Sequence, residues 1–433
     1  MSDLRRSTPR TDRVLADARL RDAARRLGED LVKATVVATL SRCRAGEIEP
    51  TEVVEAAVAA LPATASGTRR VVNATGVVVH TNLGRAPLSG AAVDALGVAA
   101  GATDVELDLT TGRRGRRGRS ALAALAAAVP DAGGVHVVNN GAAALALTTC
   151  ALAAGRNVVV SRGEMVEIGD GFRIPELLES VGVTLREVGT TNRVRLSDYA
   201  EAVDEDTGFV LKVHPSNFLV SGFTSSVDVA ELATLPVPLV VDIGSGLLAP
   251  HRRLPDEPSA AKALRAGADL VTASGDKLLG GPQCGLLLGR AELVESIRRH
   301  PLARAMRVDK LTLAALEATL NGPPTPVTRA LAVSTEELRT RADRLAAALS
   351  DAVDVSVVPS VAAVGGGGAP GVELASFALA LPVDLAVPLR LATVPVVGRV
   401  EAGRLLLDVL TMLPHDLDEV IESVRAVAHT SRG

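Results

Sequence analysis

The chain has no tryptophan, one tyrosine and five phenylalanines in 433 residues. That scarcity excludes aromatic platforms for stacking nucleic-acid bases as a main binding device. It also leaves the core to valine, leucine and alanine. Cysteine is scarce too: Cys43, Cys150 and Cys284 are scattered and odd in number. They offer neither a disulfide framework nor a metal-ligand spacing, so no metal is expected. No apolar run reaches the roughly 18 residues of a membrane span, and the N-terminus has no apolar signal core. A cytoplasmic location is therefore expected, with no membrane partner. Charge of one sign is not in large excess. The net charge is −4 with 22% charged residues, so the surface as a whole does not resemble that of a nucleic-acid-binding protein.

What is present is organised in three stretches, consistent with two or three domains for this length. Residues 1–65 read as short helices, with Leu20, Ala24 and Leu27 on one face and Val53, Ala57 and Leu61 on another. Positions 1–45 hold eleven basic and six acidic residues, a local excess of positive charge on a net negative chain. Such a module could meet phosphates, or it could be an ordinary solvated helical face. Residues 66–325 alternate strand-like and helix-like segments. The strand candidates are 135–138, 157–160, 183–188, 208–213, 238–242, 269–273 and 285–288. Their near-continuous apolar character predicts a mostly parallel sheet covered on both faces. Asn321-Gly-Pro-Pro-Thr-Pro326 marks a break, and residues 326–433 fit a smaller α/β domain. In that last stretch Leu391–Val397 and Leu405–Val409 read as strands, and Gly365–Gly368 reads as a flexible loop.

Three segments carry candidate chemistry. In Asp269-Leu-Val-Thr-Ala-Ser-Gly-Asp-Lys277 a strand-like run ends in small residues and one lysine. That layout suits a lysine forming a Schiff base with pyridoxal phosphate, because the amine must leave a strand end among small neighbours. For Asp276-Lys277 alone a surface lysine in a turn is the preferred reading, and the partner segments reverse that preference. In Pro238-Leu-Val-Val-Asp242-Ile-Gly-Ser-Gly246 an apolar run ends in a carboxylate. A pyridoxal phosphate enzyme needs such a group beside the pyridine nitrogen, although Asp242 alone could be a helix cap or turn former. In Val138-Asn139-Asn140-Gly141-Ala142 a strand gives way to an alanine-rich helix whose first amides could bind phosphate. Asn140, Gly141 and Ala142 are the candidate phosphate ligands, with an ordinary strand-to-helix turn as the alternative. Phosphate turn, aspartate and lysine occur in the order used by aminotransferase-like large domains.

Further polar segments stand out. Arg304 and Arg307 are three residues apart, a spacing that would place both on one helix face as a clamp for an oxyanion. Arg85 follows a glycine turn. Gly112-Arg113-Arg114-Gly115-Arg116-Arg117-Gly118-Arg119 could bind RNA phosphates or anchor a loop. His80 reads as a hydrogen-bonded structural histidine rather than a base.

Taken together, the motifs resemble those of the bacterial selenocysteine synthases, the L-seryl-tRNA(Sec) selenium transferases. The resembling segments are Asn73-Ala-Thr-Gly, His80-Thr-Asn-Leu-Gly-Arg85-Ala-Pro-Leu, Glu167-Ile-Gly-Asp-Gly-Phe-Arg173 and Gly189-Thr-Thr-Asn192. They continue with His214-Pro-Ser-Asn217, Asp242-Ile-Gly-Ser-Gly, Gly275-Asp-Lys277-Leu-Leu-Gly-Gly-Pro-Gln283, His300-Pro-Leu-Ala-Arg304-Ala-Met-Arg307 and Pro395-Val-Val-Gly-Arg399. The resemblance spans nearly the whole chain. It implies an α/β, aminotransferase-like (fold type I) pyridoxal phosphate fold: a large domain with a mostly parallel sheet, a small C-terminal α/β domain and an N-terminal helical module that grips tRNA. It also implies a homodecamer built as a ring of dimers. Lys277 would be the Schiff-base lysine, and Arg85, Arg304 and Arg307 would line the active site. The implied reaction converts seryl-tRNA(Sec) to selenocysteinyl-tRNA(Sec) with selenophosphate, through a cofactor-bound aminoacrylyl-tRNA. DNA is not an expected partner.

The sequence departs from the family's pattern in places. Leu410 stands where many members carry an arginine, so no C-terminal substrate arginine is assigned. Two other readings remain open at this stage. One is a pyridoxal phosphate lyase acting on a free amino acid or amino-sugar acid. The other is a non-catalytic RNA-binding protein that keeps only the fold.

Overall fold

The computed structural model describes residues 7–168 and 171–430. Arg5 and Arg6 of the basic N-terminal stretch, and Gly169 and Asp170 of the Glu167–Arg173 segment, lie outside the described residues. The chain divides into two compact units, residues 1–70 and 71–433.

The first unit is helical: Thr11–Leu15, Ala18–Leu27, Glu29–Arg44 and Val53–Ala59. The Ala18–Leu27 helix starts where the Asp17 carboxylate accepts the Arg19 amide, and it ends at Gly28 with φ +96°. Leu20, Ala23, Leu27, Val32, Val36, Leu40, Val53 and Ala57 form the core of this unit, with Ala24 and Leu61 packed at its border. The spacing of its apolar residues is thus the cause of the unit. Few aromatic side chains are needed when helices bury leucine and valine stripes.

The second unit holds a seven-stranded sheet. Its order is Gly134–Val138, Gly285–Gly289, Leu270–Ser274, Leu239–Gly244, Thr207–Val213, Asn157–Ser161 and Thr184–Val188. Gly285–Gly289 runs antiparallel to both neighbours, and the remaining pairs are parallel. Along each strand, alternate residues feed opposite cores. Val159, Val210, Val241 and Val271 point to one face, while Val158, Val160, Leu211, Val240 and Leu270 point to the other. The continuous apolar runs predicted from sequence are the signature of this two-sided burial. The alanine-rich helix Gly141–Ala153 covers one face through Ala144, Leu145, Leu147 and Ala153. Its small side chains allow a close approach: a Cβ on Gly208 would lie 2.5 Å from the Ala153 Cβ. Truncating the fully buried Leu147 to alanine should cost about 2–5 kcal/mol.

A second, five-stranded sheet has the order Arg399–Glu401, Arg404–Asp408, Glu373–Pro382, Ser356–Gly365 and Val77–Val79. The first three pairings are antiparallel and the last is parallel. Helices Thr335–Leu349 and Asp416–Thr430 cover it with Leu338, Leu345, Leu349, Val420 and Val424. Val77–Val79 precedes the large sheet in the chain yet pairs here, so the His80–Arg85 turn is carried on the small sheet's edge.

Two expectations for this region need correction. Leu391–Val397 is not a strand: Leu391 closes the Ala386–Leu391 helix, and only Val396–Val397 is extended, paired with Val72–Asn73. Pro388 sits within the first turn of that helix, where a missing amide is tolerated. The glycine run 365–368 is packed rather than free, as its contacts with Lys277 show below. Among the described residues no helix is long and apolar enough to cross a membrane, and no group of acidic, histidine or cysteine side chains could hold a metal.

Candidate active site

The carboxyl ends of the central strands bring the sequence-predicted lysine and aspartate together. Leu270–Ser274 and Leu239–Gly244 are parallel neighbours, with Thr272 opposite Asp242. Parallel strands joined through the Ala260–Arg265 helix open their loops at the same end, and ligands of open α/β sheets bind at that end. Thr272 Oγ1 donates to Asp242 Oδ1 at 2.9 Å, and the Gly244 amide donates to the same oxygen at 3.3 Å. Lys277 follows three residues after the neighbouring strand. Its Nζ reaches back over Gly244, where a Cβ would lie 3.7 Å away.

Burial lowers the Lys277 pKa from its ordinary value, against the opposing pull of Asp242, Asp276 and Glu257 and with a further push from Arg85. Burial also raises the Asp242 carboxyl, opposed by the Thr272 bond and the Lys277 charge. Both shifts favour neutral forms, so desolvation outweighs pair attraction here. A lysine poised toward its free amine suits attack on an aldehyde.

Small residues shape the surroundings. Gly246, with φ +78°, passes so close to the Leu270–Ser274 strand that a Cβ would fall 2.0 Å from the Ser274 carbonyl oxygen. Gly367, with φ +81°, lies on the lysine itself, where a Cβ would stand 2.5 Å from Nζ and 2.6 Å from Cε. Sequence reasoning missed this contact because the glycine run sits ninety residues beyond Lys277 and carries no spacing signal.

The Asn139–Gly141 turn lies at the end of the Gly134–Val138 strand. Asn140 is the N-cap of the helix Gly141–Ala153, its side-chain oxygen accepting the Ala143 amide at 2.8 Å. The amides of Gly141 and Ala142 open that helix and are free of intrahelical partners by position. Gly141 packs against Ser274, close enough that a Cβ would lie 2.6 Å from Oγ. The turn and the lysine strand are therefore adjacent.

Arg85 joins the lysine region. Its Nη1 donates to Asp276 Oδ2 at 2.6 Å, and the Ala86 amide donates to the Asp276 carbonyl at 3.2 Å. Arg304 and Arg307 lie on a segment beside the phosphate turn, where the Asn139 amide donates to the Met306 carbonyl at 3.0 Å. Only Arg304 is helical, in Leu302–Ala305, whereas Arg307 is extended and bridges Val138. The shared helix face expected from their spacing does not form, because the helix ends after one turn. They meet instead in a cleft of about 390 Å³ with Arg114, Arg116, Arg117 and Arg298. Glu106 is the carboxylate of this cleft, bonded to Arg114 at 2.7 Å and Arg117 at 3.0 Å, with Arg307 at 3.6 Å. Bonds from Arg117 and Arg114 hold its pKa below the usual carboxylate range. His136 faces the same cleft, and burial with the Arg116 and Arg298 charges lowers its pKa to about 4. Burial is the larger cause of the neutral imidazole, and the guanidinium charges add to it.

Three polar residues without an assigned role also stand near the lysine and its aspartate: Asp276 and Glu257 act on Lys277, and His214 on Asp242. His214 Nε2 lies 3.2 Å from Glu257 Oε2, and its backbone amide donates to the Asp242 carbonyl at 2.9 Å. Asp276 could have been suspected as the neighbour of Lys277. Glu257 had no signal, being an isolated acid in an irregular segment. Buried side-chain atoms without partners cluster here as well: His80 Nδ1, Ser245 Oγ and Glu257 Oε1. His80 is thus not the satisfied structural histidine expected.

The residues present fit pyridoxal phosphate. A partly buried lysine, a partly buried carboxylate on the adjacent strand, a helix N-terminus and unpaired polar atoms surround one small-residue cradle. The architecture is the aminotransferase-like one of fold-type I pyridoxal phosphate enzymes. D-glucosaminate-6-phosphate ammonia-lyase shares it, with a TM-score of 0.60 at 18% identity over 85% of this chain and 98% of that one. Within that class the chain belongs to the L-seryl-tRNA selenium transferase family, which matches residues 71–413, while the selenocysteine synthase N-terminal family matches residues 5–44. The L-seryl-tRNA(Sec) selenium transferase of Geobacter sulfurreducens is 43% identical over 97% of this chain and 98% of its own. That of Hyphomonas neptunium is 42% identical over 99% of this chain and 100% of its own.

Proposed function

We propose that this chain converts seryl-tRNA(Sec) to selenocysteinyl-tRNA(Sec), with selenophosphate as selenium donor and pyridoxal 5'-phosphate held on Lys277. The observation that carries the reading is Lys277 itself, its Nζ lying over Gly244 and its charge coupled to Asp242, in a chain of this family. Asp242 would face the pyridine nitrogen, and Asn140, Gly141 and Ala142 would hold the phosphate. When bound, the cofactor would supply an electron sink for the electron pair left as the seryl Cα–H bond breaks. Lys277, tuned toward its neutral amine, is the base for the Cα proton. The seryl hydroxyl leaves as water, selenium from selenophosphate takes its place on Cβ, and a water oxygen replaces selenium on phosphorus, so that phosphate is released.

Arg85, Arg304 and Arg307 are the proposed selenophosphate ligands. Arg304 and Arg307 already stand in a cleft with four further guanidinium groups, the chemistry that a tetrahedral oxyanion needs. The amino acid arrives as a tRNA ester and brings no free carboxylate. Arg399 agrees with that demand, since its Nη2 donates to Ser360 at 2.7 Å and its Nη1 lies 3.3 Å from the buried Asp408. It is held by the small sheet rather than offered to a substrate.

The first unit would take the tRNA. Arg13, Arg21, Lys33 and Arg44 are exposed on its helices and make no ion pair among the described residues. We place the protein in the cytoplasm, in keeping with three buried free cysteines. We further propose a homo-oligomer, with the decameric ring of dimers as the expected form. Val93, Val98, Leu107 and Leu109 support this, as large apolar side chains left exposed in one stretch of the chain.

The test is turnover of serine-charged tRNA(Sec) with selenophosphate by the purified, cofactor-loaded protein. Formation of selenocysteinyl-tRNA supports the reading. Turnover of free amino acids with no reaction on the charged tRNA would replace it with the lyase reading.

A further inference from the structure

We propose that Glu257 is a positioning residue that latches the Gly365–Gly368 loop over Lys277 and ties that loop to His214 beside Asp242. The inference rests on reading Lys277 as the cofactor lysine.

Glu257 lies between Leu254 and the Ser259-capped helix Ala260–Arg265, in a segment without regular structure. Its residue is only 5% exposed, so its carboxylate needs partners in place of water. Oε2 has two: the Ala369 amide donates to it at 2.7 Å, and His214 Nε2 lies at 3.2 Å. Oε1 has none, and the Glu257 charge acts on Lys277.

Both partners lead back to the reaction centre. Ala369 closes the glycine run, of which Gly367 rests on the Lys277 side chain and Gly368 on Leu278. Four consecutive glycines lose more backbone freedom on ordering than any other sequence would. The Gly366 amide is bonded to the Val79 carbonyl at 2.9 Å, which fixes the entry to the loop. The exit is Ala369, held at φ +48°, a conformation unfavourable for a residue with a Cβ. A charge-assisted bond in a buried position is what keeps that exit in place. On the other side, His214 donates its backbone amide to Asp242, and its charge is felt by the Asp242 carboxyl. One carboxylate thus holds the lysine's cover and the imidazole next to the aspartate. Opening the loop and releasing His214 become a single event.

The test compares the full chain with Glu257→Ala and Glu257→Gln. Glutamine keeps the volume and one acceptor oxygen but removes the charge. Two readouts are taken: amide hydrogen exchange across residues 365–370 in cofactor-free protein, and release of bound pyridoxal phosphate followed by its visible absorbance. With alanine, exchange in 365–370 should rise about tenfold or more, the scale of a lost hydrogen bond to a charged group. Exchange in the Asn157–Ser161 strand should stay unchanged, and cofactor should be released faster by a similar factor. Glutamine should fall between the two, with exchange in 365–370 faster than in the full chain but slower than with alanine, because one acceptor oxygen remains without its charge. If alanine does not fold, glutamine alone decides, since a latch that depends on charge must show faster exchange in 365–370 and nowhere else.

Exchange at wild-type rates in 365–370, or exchange raised equally throughout the chain, would overturn the latch. Locally faster exchange in a protein that takes up no cofactor would keep the latch and discard the cofactor reading. Normal cofactor capture with unchanged exchange would discard the latch alone.

Discussion

Arg85 and Asp276 form a hydrogen-bonded ion pair of 2.6 Å in which a residue from the small sheet's edge grips the neighbour of the candidate cofactor lysine. Asp276 is 6% exposed and Arg85 is itself held at φ +66°, so the pair joins a buried carboxylate to a strained backbone. Strain of that kind persists only where surrounding structure enforces it, and it gathers at functional sites.

The first prediction follows from that pair. Arg85→Ala leaves Asp276 buried without its cation. Because the arginine is partly exposed, water can compensate in part, and the cost should be about 1–3 kcal/mol. Urea unfolding of the two proteins measures it. Arg85→Lys should lose less, since it keeps the charge and gives up only the fork. Equal stability of wild type and the alanine variant would show that Asp276 does not depend on Arg85.

The second prediction concerns proton affinity at Lys277. Burial and Arg85 lower its pKa, while Asp242, Asp276 and Glu257 raise it. Removing an acid therefore lowers it further, and removing the arginine raises it. The pH midpoint for capture of pyridoxal phosphate by cofactor-free protein should lie below that of an ordinary lysine. It should move down in Asp242→Asn and up in Arg85→Ala. Midpoints that move the other way, or together, would contradict the placement of these charges around Nζ. Linkage has a definite sign here as well. The buried ammonium opposes folding below the lowered folded pKa, and that penalty fades as pH rises from there toward 10.5, the unfolded value.

Much of this site could be read from the chain, for reasons particular residues make plain. The inner strands showed as short apolar runs because they are buried on both faces, so Val158-Val159-Val160 needs no polar alternation, whereas the edge strand Thr184–Val188 leaves Thr184 and Glu187 exposed. Lys277 and Asp242 were legible because strand order fixes which turns meet at one end of a parallel sheet. Strands 356–365 and 373–382 were missed, since Ser360, Ala362, Ala375 and Ser376 blur the apolar alternation and Pro359 argues against a strand. Arg304 and Arg307 were misjudged because spacing alone assumes a helix, and Arg307 instead spends its backbone on a bridge to Val138. Glu257 was invisible. It acts through Ala369 and His214, 112 and 43 positions away, and only tertiary structure brings them together.

The third prediction tests the arginine cleft as the donor site. Arg304→Ala and Arg307→Ala should keep the absorbance of bound cofactor, because neither residue is among the charges that govern Lys277. Selenium transfer should weaken by about 1.5–3 kcal/mol per lost charge-assisted contact, or roughly 10- to 150-fold in kcat/KM for selenophosphate. Steady-state kinetics at varied selenophosphate reads this directly. Undiminished turnover in the double variant would move the donor site away from this cleft.

The last prediction separates tRNA binding from chemistry. The cores of the second unit draw only on residues from Val72 onward, so a chain beginning at Val71 should fold and capture cofactor. If the first unit grips tRNA through phosphates, that shortened chain should lose most of its tRNA affinity. A finer variant replaces Arg13, Arg21, Lys33 and Arg44 with alanine in the full chain. These side chains are exposed, so the helices should survive their loss, with Leu20, Leu27, Val36 and Leu40 still closing the core. Each phosphate contact removed should reduce the slope of log affinity against log salt by about 0.7–0.9, so four should flatten it by about 3. Titrating tRNA at several salt concentrations measures both affinity and slope. A slope that stays steep in the fourfold variant would place the phosphate contacts elsewhere. The Arg113–Arg119 segment would then be the next to test, because Arg116 there makes no ion pair among the described residues while facing the cleft that holds Arg304 and Arg307.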